Sequence, residues 1–326
     1  MKAELLSLDP RSYRRHALHD ENRAWAETNC YVDLWIEVLH AHGFDPTAAL
    51  AFALAVDFEG DQWLFFKQPT GDMFELFGLD VQELNIFRSV LEHTVEQVSR
   101  GRIVLVELDA WHLPDTAGVS YHLGHTKTTV GIQSIDVEAR TLGYFHNAGY
   151  FELSGDDFAG LFGLDRPRRD DELVPYTEFA KFDPRGRVSD DELLARSLKQ
   201  LRRHLARRPL DNPVPRFRER FSQDLVRLRE QPTEAFHTYA FATLRQCGAA
   251  FELAASYLDW LTARGVSNLN VAKTAFETLS SQAKTVQFKT ARSVMLKRDV
   301  DFAPMFDTMT AAWATAFSEL DRIFQP

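Results

Sequence analysis

NCYVDLWIEVLHAHGF, residues 29–44, decides how the first half of this chain is read. After Cys30 the apolar residues Tyr31, Leu34, Trp35, Val38 and Leu39 recur at spacings of three and four, the signature of one buried helical stripe, and Gly43 supplies a helix end. Cys30 therefore stands at a helix N-terminus. Unpaired backbone N–H groups and the helix dipole favour a thiolate there, so a cysteine in this position can ionise well below the free-thiol value of about 8.5.

Outward from this segment the first half alternates helix and strand patterns. A second helix is expected over residues 47–56, an aromatic strand over 62–67, and a long helix over 81–99 that ends at Gly101. Ile103 to Leu108 is a β-branched apolar run suited to the centre of a sheet, and Thr128 to Ile135 and Leu142 to His146 read as the two strands of a hairpin. That hairpin would bring His125 and Asn147 to one open end. Residues 165–187 carry the turn signals of a linker, and beyond them the periodicity is helical throughout, over 190–206, 216–230, 233–264, 268–296 and 302–323, punctuated by Pro209, Pro213, Pro215, Pro232 and Pro304. The expected fold class is α+β, with domains at 1–185 and 186–326, the second an all-α helical bundle.

With 326 residues, 45% hydrophobic and 26% charged, the composition is that of a globular protein long enough for two cores. Two cysteines provide no disulfide framework and no C-x-x-C pair, no run of about 18 apolar residues occurs, and the first 25 residues lack a continuous apolar signal segment. A cytoplasmic protein with no membrane partner is expected. The net charge of −10 argues against nucleic acid as a partner, yet residues 196–229 hold eleven Lys or Arg against three acids. This segment, with Arg202, Arg203, Arg207 and Arg208 at its centre, is either a solvated face paired with acids elsewhere or a docking patch for an acidic partner.

The chemistry follows from Cys30. A cysteine nucleophile needs a base, and its imidazole needs a third group to fix tautomer and orientation; His125 and Asn147 can fill those roles. The backbone N–H of Cys30 and the side chain of Asn29 are candidate oxyanion donors. Trp111, His122 and His146 border the same region and are candidate substrate contacts. Cys247, in LRQCGAAFELAASYL, sits in an apolar helical setting that suits packing. Four histidines (His112, His122, His125 and His146) crowd this region, and Asp109, Asp115 or Asp136 could add a carboxylate, so a metal reading stands beside the triad; the preferred reading has no metal. The phosphate-loop, dinucleotide and nucleophile-elbow glycine motifs are absent.

NCYVDLWIEVLHAHGFDP, GRIVLVELDAWHLPD and YHLGHTKTTVGIQSIDVEARTLGYFHNAGYFELSGDDF together resemble a bacterial family found beside amino acid:carrier protein ligases and small acyl carrier proteins. Residues 28–160 resemble, more distantly, the butirosin aminoacyltransferase family. That resemblance implies a papain-like N-terminal domain, a Cys nucleophile at Cys30 and transfer of an aminoacyl or acyl group from the phosphopantetheine thioester of a carrier protein, with no bound cofactor. It also implies an acyl or aminoacyl carrier protein as partner, together with an amino acid:carrier protein ligase. Asp109, Leu113 and Pro114 match its D-x-x-x-L-P stretch, and His125 its histidine. The pattern departs in two places: the family histidine stands nearer the turn aspartate than His125 does to Asp136, with Thr at 128, which makes His122 the substitute, and Asn147 stands where the family often has Asp. A papain-like hydrolase or peptidase and a noncatalytic carrier-binding protein are the alternatives.

Overall fold

The computed structural model describes residues 2–164 and 173–324, which divide into two compact units. The first comprises 1–20, 30–46 and 70–188; the second comprises 21–29, 47–69 and 189–326. Two N-terminal excursions thus belong with the C-terminal helices. Of the segment expected as a linker, residues 165–172 lie outside the described residues.

The first unit is built on a seven-stranded antiparallel sheet. Its strands are β1 (Lys2–Glu4), β2 (Leu79–Glu83), β3 (Ile103–Asp109), β4 (Lys127–Asp136), β5 (Thr141–His146), β6 (Gly149–Ser154) and β7 (Thr177–Phe182), in the order β2-β7-β3-β4-β5-β6, with β1 paired to the end of β4. The β3, β4 and β5 runs lie where their β-branched sequences put them. Residues 81–99 are not one helix: β2 occupies the start, and helix α3 (Val90–Ser99) begins only after Ser89. Ser89 and Glu92 form a reciprocal capping box, and that S-x-x-E signal marks the true helix start. Strand β7 also replaces part of the expected linker, pairing with both β2 and β3.

Cys30 is the first residue of helix α1 (Cys30–Ala41), and the chain leaves the helix at Gly43, whose φ of +73° suits glycine. The helix is buried on more than its apolar stripe. Asp33 and Glu37, which the stripe leaves to solvent, are 1% and 0% exposed, because residues 13–19 cover that side. Tyr13 donates its hydroxyl to Glu37 at 2.6 Å, the backbone N–H of His16 donates to Glu37 at 3.0 Å, and the buried His19 imidazole lies between the Glu37 and Asp33 carboxylates. Burial alone would lower the His19 pKa; hydrogen bonds and charge from Asp33 and Glu37 outweigh it and raise it to about 9.

The two faces of this sheet differ. Val104, Val106 and Leu108 of β3 with Val130 and Ile132 of β4 point to one side and join Tyr144, Val98 of α3 and Phe158 of helix α4 (Asp156–Phe162) in an apolar core. Their neighbours in sequence, Glu107 and Asp109 of β3 with Lys127, Thr129 and Gly131 of β4, point to the other side, where α1 packs. Gly131 is the closest approach: a Cβ there would come within 3.3 Å of Leu34 Cδ1.

The second unit is helical, with α5 (Asp190–Ala206), α6 (Pro213–Leu228), α7 (Thr233–Ala240), α8 (Gln246–Ala263), α9 (Asn270–Leu296) and α10 (Ala303–Phe324); a π-helical turn, Phe241–Arg245, joins α7 to α8. Helix α2 (Thr70–Phe77) belongs to the first unit. Residues 46–55 form a 3-10 helix, and the aromatic run at 62–67 forms no strand beyond an isolated bridge of Phe58 to Trp63. Trp63 is instead buried edge-on against Phe217 and Phe251, so its bulk serves the second unit's core. Among the described residues no helix is long and apolar enough to cross a membrane.

Candidate functional site

Strand pairing builds the site on the α1 face of the first unit's sheet. Cys30 is half-buried, and its Sγ lies 3.8 Å from the Thr129 hydroxyl. Beside Thr129 the Lys127 ammonium meets the Glu107 carboxylate at 2.7 Å. At the end of the same two strands Asp109 meets His125, Nδ1 to Oδ2 at 2.6 Å. A thiol, an ion pair and a carboxylate–imidazole pair therefore run in order along one face. On its other flank Glu178 accepts the hydroxyls of Tyr31 and Tyr176 at 3.0 and 2.9 Å, which fixes the residue next to Cys30.

Asp109 is held by hydrogen bonds on both carboxylate oxygens. One carboxylate oxygen accepts the backbone N–H groups of Trp111 and Thr126, at 3.0 and 3.3 Å, and the other accepts from His125. Partial burial works against its charge, but these hydrogen bonds and the His125 charge keep its carboxyl below the usual carboxylate range. In the tautomer that donates from Nδ1 to Asp109, an uncharged imidazole keeps a lone pair on Nε2. The ring is stacked on Trp111 at 4.7 Å and 16°, and its side chain is 74% exposed. It is an oriented imidazole open to a bound molecule.

The contacts differ from those expected of the three residues. Asp109, not Asn147, orients His125, and the hydrogen-bond partner of the Cys30 thiol is a hydroxyl, not an imidazole. Asn147 occupies the tight β5–β6 turn with φ of +43°, a conformation asparagine tolerates better than most residues. The pairing of Asp109 with His125 has no local sequence signal; it comes from the β3–β4 register, which sets Asp109 opposite Lys127.

The other candidates divide. Asn29 is buried, and its amide donates to the Phe66 carbonyl and to Gln246, so those hydrogens are engaged. His146 is 1% exposed, on the opposite side of the sheet from the thiol, bonded to Thr128 at 2.8 Å and to Asp115 at 2.5 Å; Tyr144 completes that network on Asp115 at 2.6 Å. His146 lies buried within this hydrogen-bond network. His122 stacks on Tyr121 at 4.1 Å with a φ of +52°, and its Nε2 lies 3.4 Å from Asp157, which also accepts the Tyr121 hydroxyl at 2.8 Å. His112 lies against α4, where any side chain at Gly160 would overlap its ring. Among the described residues no three His, Cys, Asp or Glu side chains gather into a cluster able to hold a metal ion. Cys247 is fully buried, and burial pushes its thiol up, which suits packing.

In the second unit the basic segment is largely paired. Arg196 meets Glu192, Arg208 binds Asp321 through both terminal nitrogens at 2.7 Å, and Arg216, Arg218 and Arg229 meet Asp57, Asp307 and Asp299. Asp224 takes both Arg220 and Arg227. Arg208 is therefore engaged within the protein, whereas Arg202 and Arg207 have no carboxylate partner among the described residues.

The chain belongs to the DUF1839 family: the profile of the DUF1839 N-terminal domain matches residues 14–182, and that of the DUF1839 C-terminal domain matches residues 190–322. No curated protein matches the chain.

Proposed function

We propose that this protein is a cysteine-dependent acyl or aminoacyl transferase with a papain-like arrangement of helix and sheet. The Cys30 thiolate attacks the carbonyl of a thioester on the phosphopantetheine arm of a carrier protein; a sulfur–carbon bond to Cys30 forms, the carbon–sulfur bond to the arm breaks, and the arm leaves as a thiolate that takes a proton from solvent. The acyl group then rests on Cys30. An acceptor amine attacks it, its proton passes to Nε2 of His125, and the Cys30 thiolate is released. Exchange of one thioester for another is nearly isoenergetic, which suits a cysteine.

One observation carries this reading: the half-buried thiol at the start of α1 faces the side of the sheet that ends in the Asp109–His125 pair. Because the thiol bonds Thr129, His125 serves the acceptor and not the nucleophile. Cys30 stands at the N-terminus of α1, the position proposed here for the nucleophile. Arg202 and Arg207 are the segment's residues best placed to steer an acidic carrier. The carrier and the thioester rest on the sequence resemblance.

The test incubates the protein with aminoacyl-loaded carrier protein and follows intact mass. An adduct on Cys30, absent from Cys30→Ala, is expected; a carrier that stays loaded overturns the reading for that donor. In His125→Ala the adduct still forms, while transfer to an amine falls by about 10²–10⁴. The Thr129 contact also favours a second reading, a noncatalytic carrier-binding protein, since a hydroxyl is no base. That reading expects no adduct and an unchanged carrier complex with Cys30→Ala.

A further inference from the structure

We propose that the first unit holds a separate binding site for a small anionic amphiphile, one aliphatic chain with a carboxylate head. A cavity of about 330 Å³ opens among Ile86, Val90, Leu108, Leu161, Phe162 and Val174. This volume lies at the lower end of the range for small-molecule sites, about 300–1,000 Å³. Leu108 belongs to the apolar core side of β3, so the cavity lies across the sheet from Cys30 and is no part of the thiol site.

Its walls are aliphatic and aromatic, and two polar residues join them, Ser89 and Arg88. Ser89 is committed to the capping box of α3, exchanging hydrogen bonds with Glu92. Arg88 is different. Its guanidinium lies 5.2 Å from the Phe87 ring centre, and among the described residues no carboxylate pairs with it. Glu92 and Glu96 lie within electrostatic reach of Arg88, but their hydrogen bonds go to Ser89 and Arg100, so the guanidinium keeps its donors. Among the described residues that line the cavity Arg88 is the charged one, and it favours a chain whose single charge is negative. A carboxylate fits best, because the planar guanidinium binds it through two parallel hydrogen bonds. Val174 and Leu164, about half exposed at the rim, extend the apolar surface a chain would cover.

Isothermal titration of the full chain with octanoate, octan-1-ol and octylammonium tests the site. Octanoate is expected to saturate at one molecule per chain and to bind more tightly than either of the others. Arg88→Gln, a surface change, is expected to weaken octanoate by about two- to fivefold and leave octan-1-ol unchanged. Ile86→Trp, which fills the cavity from a loop, is expected to remove binding of both while the circular dichroism melt of the chain stays in place. Absence of saturable octanoate binding, octylammonium binding as tightly as octanoate, or Arg88→Gln binding octanoate as the unaltered chain does would overturn the proposal. If Ile86→Trp melts early, the Arg88→Gln result decides it alone.

Discussion

Two carboxylate–imidazole pairs of the first unit are chemically alike and opposite in use. His19 lies buried between Asp33 and Glu37 beneath the N-terminal segment, whereas His125 stands on Asp109 at the sheet's edge with most of its ring in solvent. The buried pair has every polar atom turned inward, so its energy goes into holding residues 13–19 on α1. The exposed pair leaves one ring nitrogen outward and contributes little to the fold. Burial, not residue type, separates a clasp from a reactive group.

The largest effect that would break this contrast is expected at the clasp. Glu37→Ala leaves His19 and Tyr13 without their shared acceptor and is expected to cost about 3–5 kcal/mol, read from urea unfolding. A loss under about 1 kcal/mol would mean that the clasp does not hold α1. The same cluster sets a pH dependence. His19 has its folded pKa raised to about 9 from an ordinary value of 6.5, so its contribution is fully present below about pH 6.5 and is lost as pH rises through 9. Glu37 is shifted the other way: its folded pKa is lowered, so its contribution holds above its ordinary 4.5 and is lost as pH falls. Stability is therefore expected to peak between these limits, and Glu37→Ala is expected to flatten the alkaline limb. An unchanged alkaline slope in that variant would detach the dependence from His19.

A middle case sharpens the comparison. His146, bonded to Asp115 and Thr128 on the core side of the sheet, reads in sequence as a substrate contact in the same region as His125 and is buried like His19. His146→Ala is expected to destabilise by about 1–3 kcal/mol, by leaving Asp115 with Tyr144 alone and Thr128 without the His146 ring, and to leave acylation of Cys30 unchanged below the melting range. Loss of acylation in a folded His146→Ala protein would move the site to the other face.

These cases also show what sequence reading can reach. The helix after Cys30 and the strands β3, β4 and β5 were legible because their periodicity is local and strong. Strand β7 was not, since TEFAKF lies among turn residues and becomes a strand only by pairing with β2 and β3. The start of α3 was written in Ser89 and Glu92, but apolar spacing continued across it. Among the site residues Cys30 and His125 were visible as types and positions. Asp109 was visible as part of a motif and as a candidate metal carboxylate, but not as the partner of His125, because that pairing depends on a strand register. Asp33 and Glu37 fall off the apolar stripe of α1, and their burial has no local signal, because the covering residues 13–19 form only a single 3-10 turn at Ala17–His19.

The smallest effects are expected at the exposed pair and its neighbour, and they separate structure from chemistry most cleanly. His125→Ala should change stability by no more than about 0.5 kcal/mol, since an exposed ion pair adds little to the fold, yet it should sharply slow transfer to an amine acceptor. Asn147→Gly should change neither, because glycine adopts the positive φ of that turn without strain and the orienting bond to His125 comes from Asp109. Asp109→Asn supplies the matching loss: its amide can still accept the Nδ1 hydrogen but cannot balance the charge of a protonated imidazole. Transfer should therefore slow with Asp109→Asn and hold within about twofold with Asn147→Gly. The reverse ranking, measured as single-turnover transfer from acylated Cys30, would return the orienting role to Asn147 and make Asp109 a strand-end cap for Trp111 and Thr126.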